Sequence, residues 1–120
     1  MDFFTKTIMK KANRVTKNED FKQIISKKQS FANRAFIVYY IRNTDNHTHI
    51  GVSVSKKLGN AVTRNKIKRQ VRMMVQEIFD FQEPIDCVII IRKTYLSLTY
   101  EENKKELNYI YHKIHKRMGI

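Results

Sequence analysis

Apolar residues along the chain follow two rhythms, one near 3.6 residues and one of two, and the switches between them delimit the elements. After Asn18 the stretch EDFKQIISKK sets Phe21, Ile24 and Ile25 on one helical face. Asn18 is the expected N-cap, with acids in the first turn and lysines in the last. The run AFIVYYIR, Ala35 to Arg42, is aromatic and β-branched and predicts a strand covered on both faces. TDNH then reads as a turn, and HIGVSVS as the second arm of a hairpin. In that arm Ile50, Val52 and Val54 share one face, while Gly51, Ser53 and Ser55 share the other. A face of such small residues lets another group come close to the backbone.

A long helix follows. Gly59 stands where strand must turn into helix, a place for steep or left-handed backbone. Asn60 can cap the helix, and Ile67, Val71, Met74, Val75 and Ile78 recur at helical spacing. Pro84 and Asp86 break the chain before the apolar strand CVIIIRK. Thr99 and Glu102 have the spacing of a capping box for a last helix with Leu107, Ile110, Tyr111, Ile114 and Met118 inward. The order is helix, two or three strands, helix, strand, helix. It predicts a single-domain α+β sandwich, αβββαβα, in which helices cover a small mixed sheet. At 120 residues, without repeats or linkers, the chain suffices for one core. Residues 1–12 are expected to be a flexible extension preceding a domain over 13–120.

Charge sharpens this picture. With 24 Lys and Arg against 11 Asp and Glu, the net charge is +13. Such a chain repels itself unless polyanions are its usual company. Nucleic acid is the leading partner, ahead of an anionic membrane surface or an acidic protein. The single cysteine, Cys87, lies in an apolar run, cannot form an internal disulfide and suits a reducing cytoplasm. No apolar stretch approaches the roughly 18 residues of a spanning helix. The N-terminus, with its charge after its apolar residues, makes a poor signal peptide. The expectation is a soluble cytoplasmic protein with no membrane partner.

The basic residues concentrate on one segment. From Lys56 to Arg72, 17 residues hold 7 Lys or Arg and no acid, whereas solvated helix faces usually mix signs. Arg64, Lys68 and Arg72 form an i, i+4, i+8 row at the edge of the apolar stripe, and Asn65, Lys66 and Arg69 continue around the far side. Lys56 and Lys57 lie just before the helix, where its dipole adds to their charge. A solvated basic face is the plainer alternative; the missing acids favour nucleic-acid contact. Nothing suggests a helix-turn-helix. Tyr39 and Tyr40 on the sheet, with Phe21, suit stacking on unpaired bases, although each ring taken alone reads better as core.

The stretch SVSKKLGNAVTRNKIKRQVR, Ser53 to Arg72, resembles the signature of the protein subunit of bacterial ribonuclease P. The resemblance extends upstream through NEDFKQIISKKQSFANRAFIVYY and, in element order, over nearly the whole chain. Two positions depart from the family pattern. Lys66 replaces the last residue of an Arg-Asn-Arg motif, and Ile25 stands where a second aromatic is expected one turn after Phe21. The resemblance implies a left-handed βαβ crossover, against the usual right-handed preference. It further implies a catalytic RNA subunit that uses Mg²⁺, held mainly by that RNA, to cleave the 5′ leader from precursor tRNA. The protein would then be a cofactor without an obligate protein partner and without catalytic residues of its own. Contacts to the RNA subunit would come from Lys56, Lys57, Asn60, Arg64, Asn65, Lys66, Lys68, Arg69 and Arg72. Contacts to the leader would come from Arg14, Lys17, Phe21, Tyr39, Ser53 and Ser55. The alternative is a general RNA-binding or ribosome-associated module without a ribozyme.

Remaining candidates are weaker. His112 and His115 sit about one turn apart on the last helix without an obvious third metal ligand, and His47 and His49 share a face at the expected hairpin tip. The acids gather in first helical turns, where capping and dipole effects explain them. No nucleophile–base pair suggests a protein nuclease.

Overall fold

A computed structural model describes residues 13–15 and 17–120; the extension expected over 1–12 lies outside the described residues. The elements are α1 (Asn18–Ser26), β1 (Ser30–Ala32), β2 (Phe36–Arg42), β3 (His49–Ser53), α2 (Ala61–Ile78), β4 (Ile85–Ile91) and α3 (Tyr100–Met118). Short 3₁₀ turns at Lys56–Leu58 and Lys93–Ser97 precede α2 and α3. The expected order, with its third strand at β1, is the order found.

The sheet runs β1-β2-β4-β3. β1 pairs β2 and β2 pairs β4 antiparallel, whereas β3 pairs β4 parallel. The expected hairpin between β2 and β3 is therefore corrected: β4 lies between them. The reason is burial. β4, with Cys87, Val88 and Ile89 all sealed from solvent, is the most apolar strand and takes the centre. Having crossed through α2, the chain re-enters beside β3 in the same direction, as a parallel pair requires.

Strand alternation divides the sheet into two faces. One carries Phe36, Val38 and Tyr40 of β2, Ile50 and Val52 of β3, and Ile85, Cys87, Ile89 and Ile91 of β4. Against it pack Ile67, Val71, Met74 and Val75 of α2 and Leu107, Ile110, Tyr111 and Ile114 of α3, the helical stripes expected. The other face carries the row Tyr39–Val88–Gly51, set by the pairing register, and α1 lies on this side. There Ile37, Tyr39 and Ile41 are only half-buried, so β4 rather than β2 is the strand covered on both faces.

Two cap expectations hold and one does not. The Asn60 side chain accepts the Thr63 N–H at 2.9 Å, and Thr99 and Glu102 form the full capping box. Gly59 has φ 148°, and a Cβ there would meet Thr63 at 2.8 Å. At α1, however, Asn18 is the first helical residue; Lys17 occupies the cap position and makes no side-chain cap bond. Lys27 and Lys28 follow the last turn instead of belonging to it. Asp86 likewise does not break the chain but lies inside β4, where it accepts from Asn43 Nδ2 and contacts His49 Nδ1, each at 2.7 Å. Those partners make a carboxylate tolerable within a strand.

Candidate nucleic-acid interface

The turn into α2 is tied down by its own side chains. Ser55 Oγ accepts the Lys57 N–H at 3.2 Å, Asn60 caps the helix, and Arg64 Nε donates to the Gly59 carbonyl at 3.2 Å. These bonds fix the phase of the cations that follow. Arg64, Lys68 and Arg72 are half-buried along one edge of α2, while Asn65, Lys66 and Arg69 are exposed. Lys56 and Lys57 project into solvent from the 3₁₀ turn.

Beside this edge runs a groove of about 570 Å³ between α1, the outer edge of β3 and α2. α1 contributes Asn18, Phe21, Lys22 and Ile25; β3 and its continuation contribute Ile50, Val52, Ser53 and Val54; α2 contributes Lys68 and Arg72; Arg14 and Val15 close one end. Among the described residues before α1, the Val15 N–H pairs with the start of β3 at the Ile50 carbonyl, 3.0 Å away. Gly51 lets α1 sit low: a Cβ at that position would stand 2.6 Å from Phe21 Cζ. The small face read from the sequence is thus occupied at Gly51 by the Phe21 ring and left open at Ser53.

The groove's electrostatics are one-sided. Arg14, Lys22, Lys68 and Arg72 line it, and among the described residues no carboxylate does. Partial burial first, and the Arg14 charge second, hold the Arg72 guanidinium below its ordinary value. On the outer side of α2 a second depression of about 560 Å³ shares Arg14, Lys68 and Arg72 and adds Asn65 and Arg69. Its one acid, Glu77, is engaged by Lys104 and by the Tyr100 hydroxyl at 3.2 Å. The ridge between the two concavities therefore presents uncompensated positive charge to both.

Of the expected leader residues, Arg14, Phe21 and Ser53 line the groove. Lys17 is exposed at the start of α1, and Ser55 caps the 3₁₀ turn. Tyr39 stands half-buried on β2, separated from β3 by β4, and does not line the groove. Asn18, Lys22 and Ile25 belong to the groove without having been singled out for it. Their signal was in the sequence: Asn18, Phe21, Lys22 and Ile25 fall on one stripe at i, i+3, i+4, i+7.

The histidines have other employment. His115 contacts Glu83 Oε2 at 2.5 Å and the Tyr111 carbonyl at 3.0 Å, while His112 is exposed. His47 is exposed, but His49 is half-buried against Asp86 rather than free at a hairpin tip. Among the described residues no group of three or more His, Cys, Asp or Glu is placed to hold a metal ion. No described helix is long and apolar enough to cross a membrane.

Known proteins share this sequence and fold. The model of the family described as Ribonuclease P matches residues 9–115. The ribonuclease P protein component of Mesoplasma florum is 46% identical over 102 residues, covering 83% of this chain and 93% of that protein. The Streptococcus pneumoniae (strain Hungary19A-6) component is 48% identical over 103 residues, covering 85% and 84%. The Staphylococcus aureus RNase P protein structure superposes with a TM-score of 0.79 at 39% identity, over 87% of this chain and 96% of that one. With a mixed four-stranded sheet, three helices and a matching sequence over most of its length, the chain belongs to the ribonuclease P protein family.

Proposed function

We propose that the protein is the RNA-binding cofactor of a ribonuclease P ribozyme. In this reading it binds the catalytic RNA through α2 and the 5′ leader of precursor tRNA through the groove. The observation that carries the proposal is the groove itself, lined among the described residues by Arg14, Lys22, Lys68 and Arg72 without a carboxylate. Four cations around a trough suit a polyanion, and a narrow trough with one ring suits an extended single strand better than a rigid duplex. Phe21 offers a face for stacking that is indifferent to base identity, as a subunit accepting many leaders needs. Lys56, Lys57, Asn65, Lys66 and Arg69, on the side of α2 and its turn that faces away from the sheet, address the catalytic RNA, with Arg64 at their edge.

The protein's part in the reaction is electrostatic. Its cations offset repulsion between the enzyme RNA and the substrate, so less Mg²⁺ is needed to bring them together. In this reading the hydrolytic chemistry is supplied by Mg²⁺ held by the RNA.

Reconstitution tests this. Protein freed of RNA should leave precursor tRNA intact, and adding it to the catalytic RNA should lower the Mg²⁺ required for cleavage at a single site. Single-site cleavage by the protein alone, or an unchanged Mg²⁺ requirement, would overturn the proposal.

A further inference from the structure

We infer that the opposite edge of the sheet holds a second anion site, a pocket that takes a phosphate group. The pocket, of about 260 Å³, lies between the turn after α1 and the last turn of α3 and is lined by Lys28, Gln29, Ser30, Tyr40, Arg117 and Met118. It adjoins β1, whereas the groove adjoins β3, and these are the two edges of the sheet. No residue is shared between the two.

Tyr40 carries the inference. It is only 4% exposed, with its ring stacked on Phe31 at 5.8 Å. Among the described residues its hydroxyl has no hydrogen-bond partner, although a buried phenol normally finds one. Nor is that oxygen sealed in: the one fully buried side-chain polar atom without a partner is Asn103 Oδ1. The hydroxyl therefore opens to solvent, and the opening that Tyr40 lines is this pocket. A donor on a rigid ring, in a pocket that Lys28, Arg117 and Ser30 also line, belongs to the donor set of a phosphate site.

The end of a helix ordinarily repels an anion. Here Arg42 donates to the Met118 carbonyl at 2.9 Å, and the N–H groups of Gly119 and Ile120 return to the His115 carbonyl, so two of the terminal carbonyls are already satisfied. Among the described residues no carboxylate lines the pocket. At about 30 Å³ per water, its volume takes a phosphate of five heavy atoms with room for its ester link to a sugar. The ligand is a phosphate group, carried either on an RNA backbone or free in solution. The site does not depend on the ribozyme reading.

Amide NMR of the full chain titrated with inorganic phosphate, and separately with a short single-stranded RNA, tests the site. The account expects saturable shifts at Gln29, Ser30 and Met118, distinct from those at Ser53 and Lys68. Shifts with both probes point to any phosphate, and shifts with RNA alone point to backbone phosphate. Tyr40→Phe, which removes only the oxygen, should weaken the first set of shifts about five- to tenfold and leave the second unchanged. Arg117→Ala, at an exposed position, should do the same and serves if Tyr40→Phe perturbs the fold. Absence of the first set, or affinity unaltered in both variants, would overturn the inference.

Discussion

Gly51→Ala tests whether α1 is seated where the groove requires it. The new Cβ would lie 2.6 Å and 2.8 Å from two ring atoms of Phe21 and 3.2 Å from Val15 Cβ. Carbon atoms in good contact stand about 3.5–4.0 Å apart, so the ring must retreat by roughly 1 Å. Such overpacking costs about 1–3 kcal/mol. Alanine loses less backbone entropy than glycine on entering a strand, which returns about 0.5–1 kcal/mol. The net is a loss centred on about 1 kcal/mol and at most about 2.5 kcal/mol, and at about 4 °C per kcal/mol for a domain of this size Tm falls by about 5 °C. Differential scanning calorimetry of the variant measures this. The double variant with Phe21→Leu removes the atoms that clash and should recover much of the loss, a coupling of at least about 0.5 kcal/mol. A Tm unchanged or raised by Gly51→Ala, or strict additivity in the double variant, would refute the seating of Phe21 on Gly51.

Asn60→Ala removes the cap of α2 and should cost about 1 kcal/mol, while Asn60→Gly should cost only a few tenths; equal losses in chemical denaturation would deny the capping role. Burial raises the Cys87 thiol and the Tyr95 and Tyr111 phenols above their ordinary values, so the unfolded chain releases these protons first. Their contribution is whole below the unfolded values, about 8.5 for a thiol and 10 for a phenol, and declines as pH rises beyond them. The urea midpoint should accordingly drop between pH 8 and pH 10.5, and a flat midpoint contradicts it. Phe21→Leu should weaken precursor binding in the holoenzyme by up to about 1–3 kcal/mol without affecting mature tRNA, and Tyr39→Leu, outside the groove, should do less. The reverse ranking would move the leader onto β2.

What the sequence made legible were the features decided locally. The caps at Asn60 and Thr99 need only a few neighbouring residues, and the stripes of α2 and α3 need only a period, so each could be read directly. The density of cations without acids after Lys56 was equally local. Strand partnership was not. β2 and β3 are adjacent in the chain and alternate well, yet the stronger hydrophobic demand of β4 separates them, and no local pattern registers that competition. For the same reason Tyr39 looked near Phe21 in sequence but stands a strand away from the groove, and Asp86 looked like a breaker because its partners, Asn43 and His49, are distant in sequence. Gly51 was legible as a point of close approach; that Phe21 makes the approach required the three-dimensional arrangement.

The central claim, that the edge and outer side of α2 bear on RNA phosphates, is tested most directly by the salt dependence of affinity for the catalytic RNA. Five to seven phosphate contacts at about −0.8 per contact give a slope of log affinity against log salt of roughly −4 to −6. Lys66 and Arg69 make no hydrogen bond or ion pair among the described residues, so replacing both by alanine should leave the fold intact. The account predicts a slope shallower by about 1.5–2 in that double variant. An unchanged slope, with the variant folded, would place the RNA on another surface and contradict it.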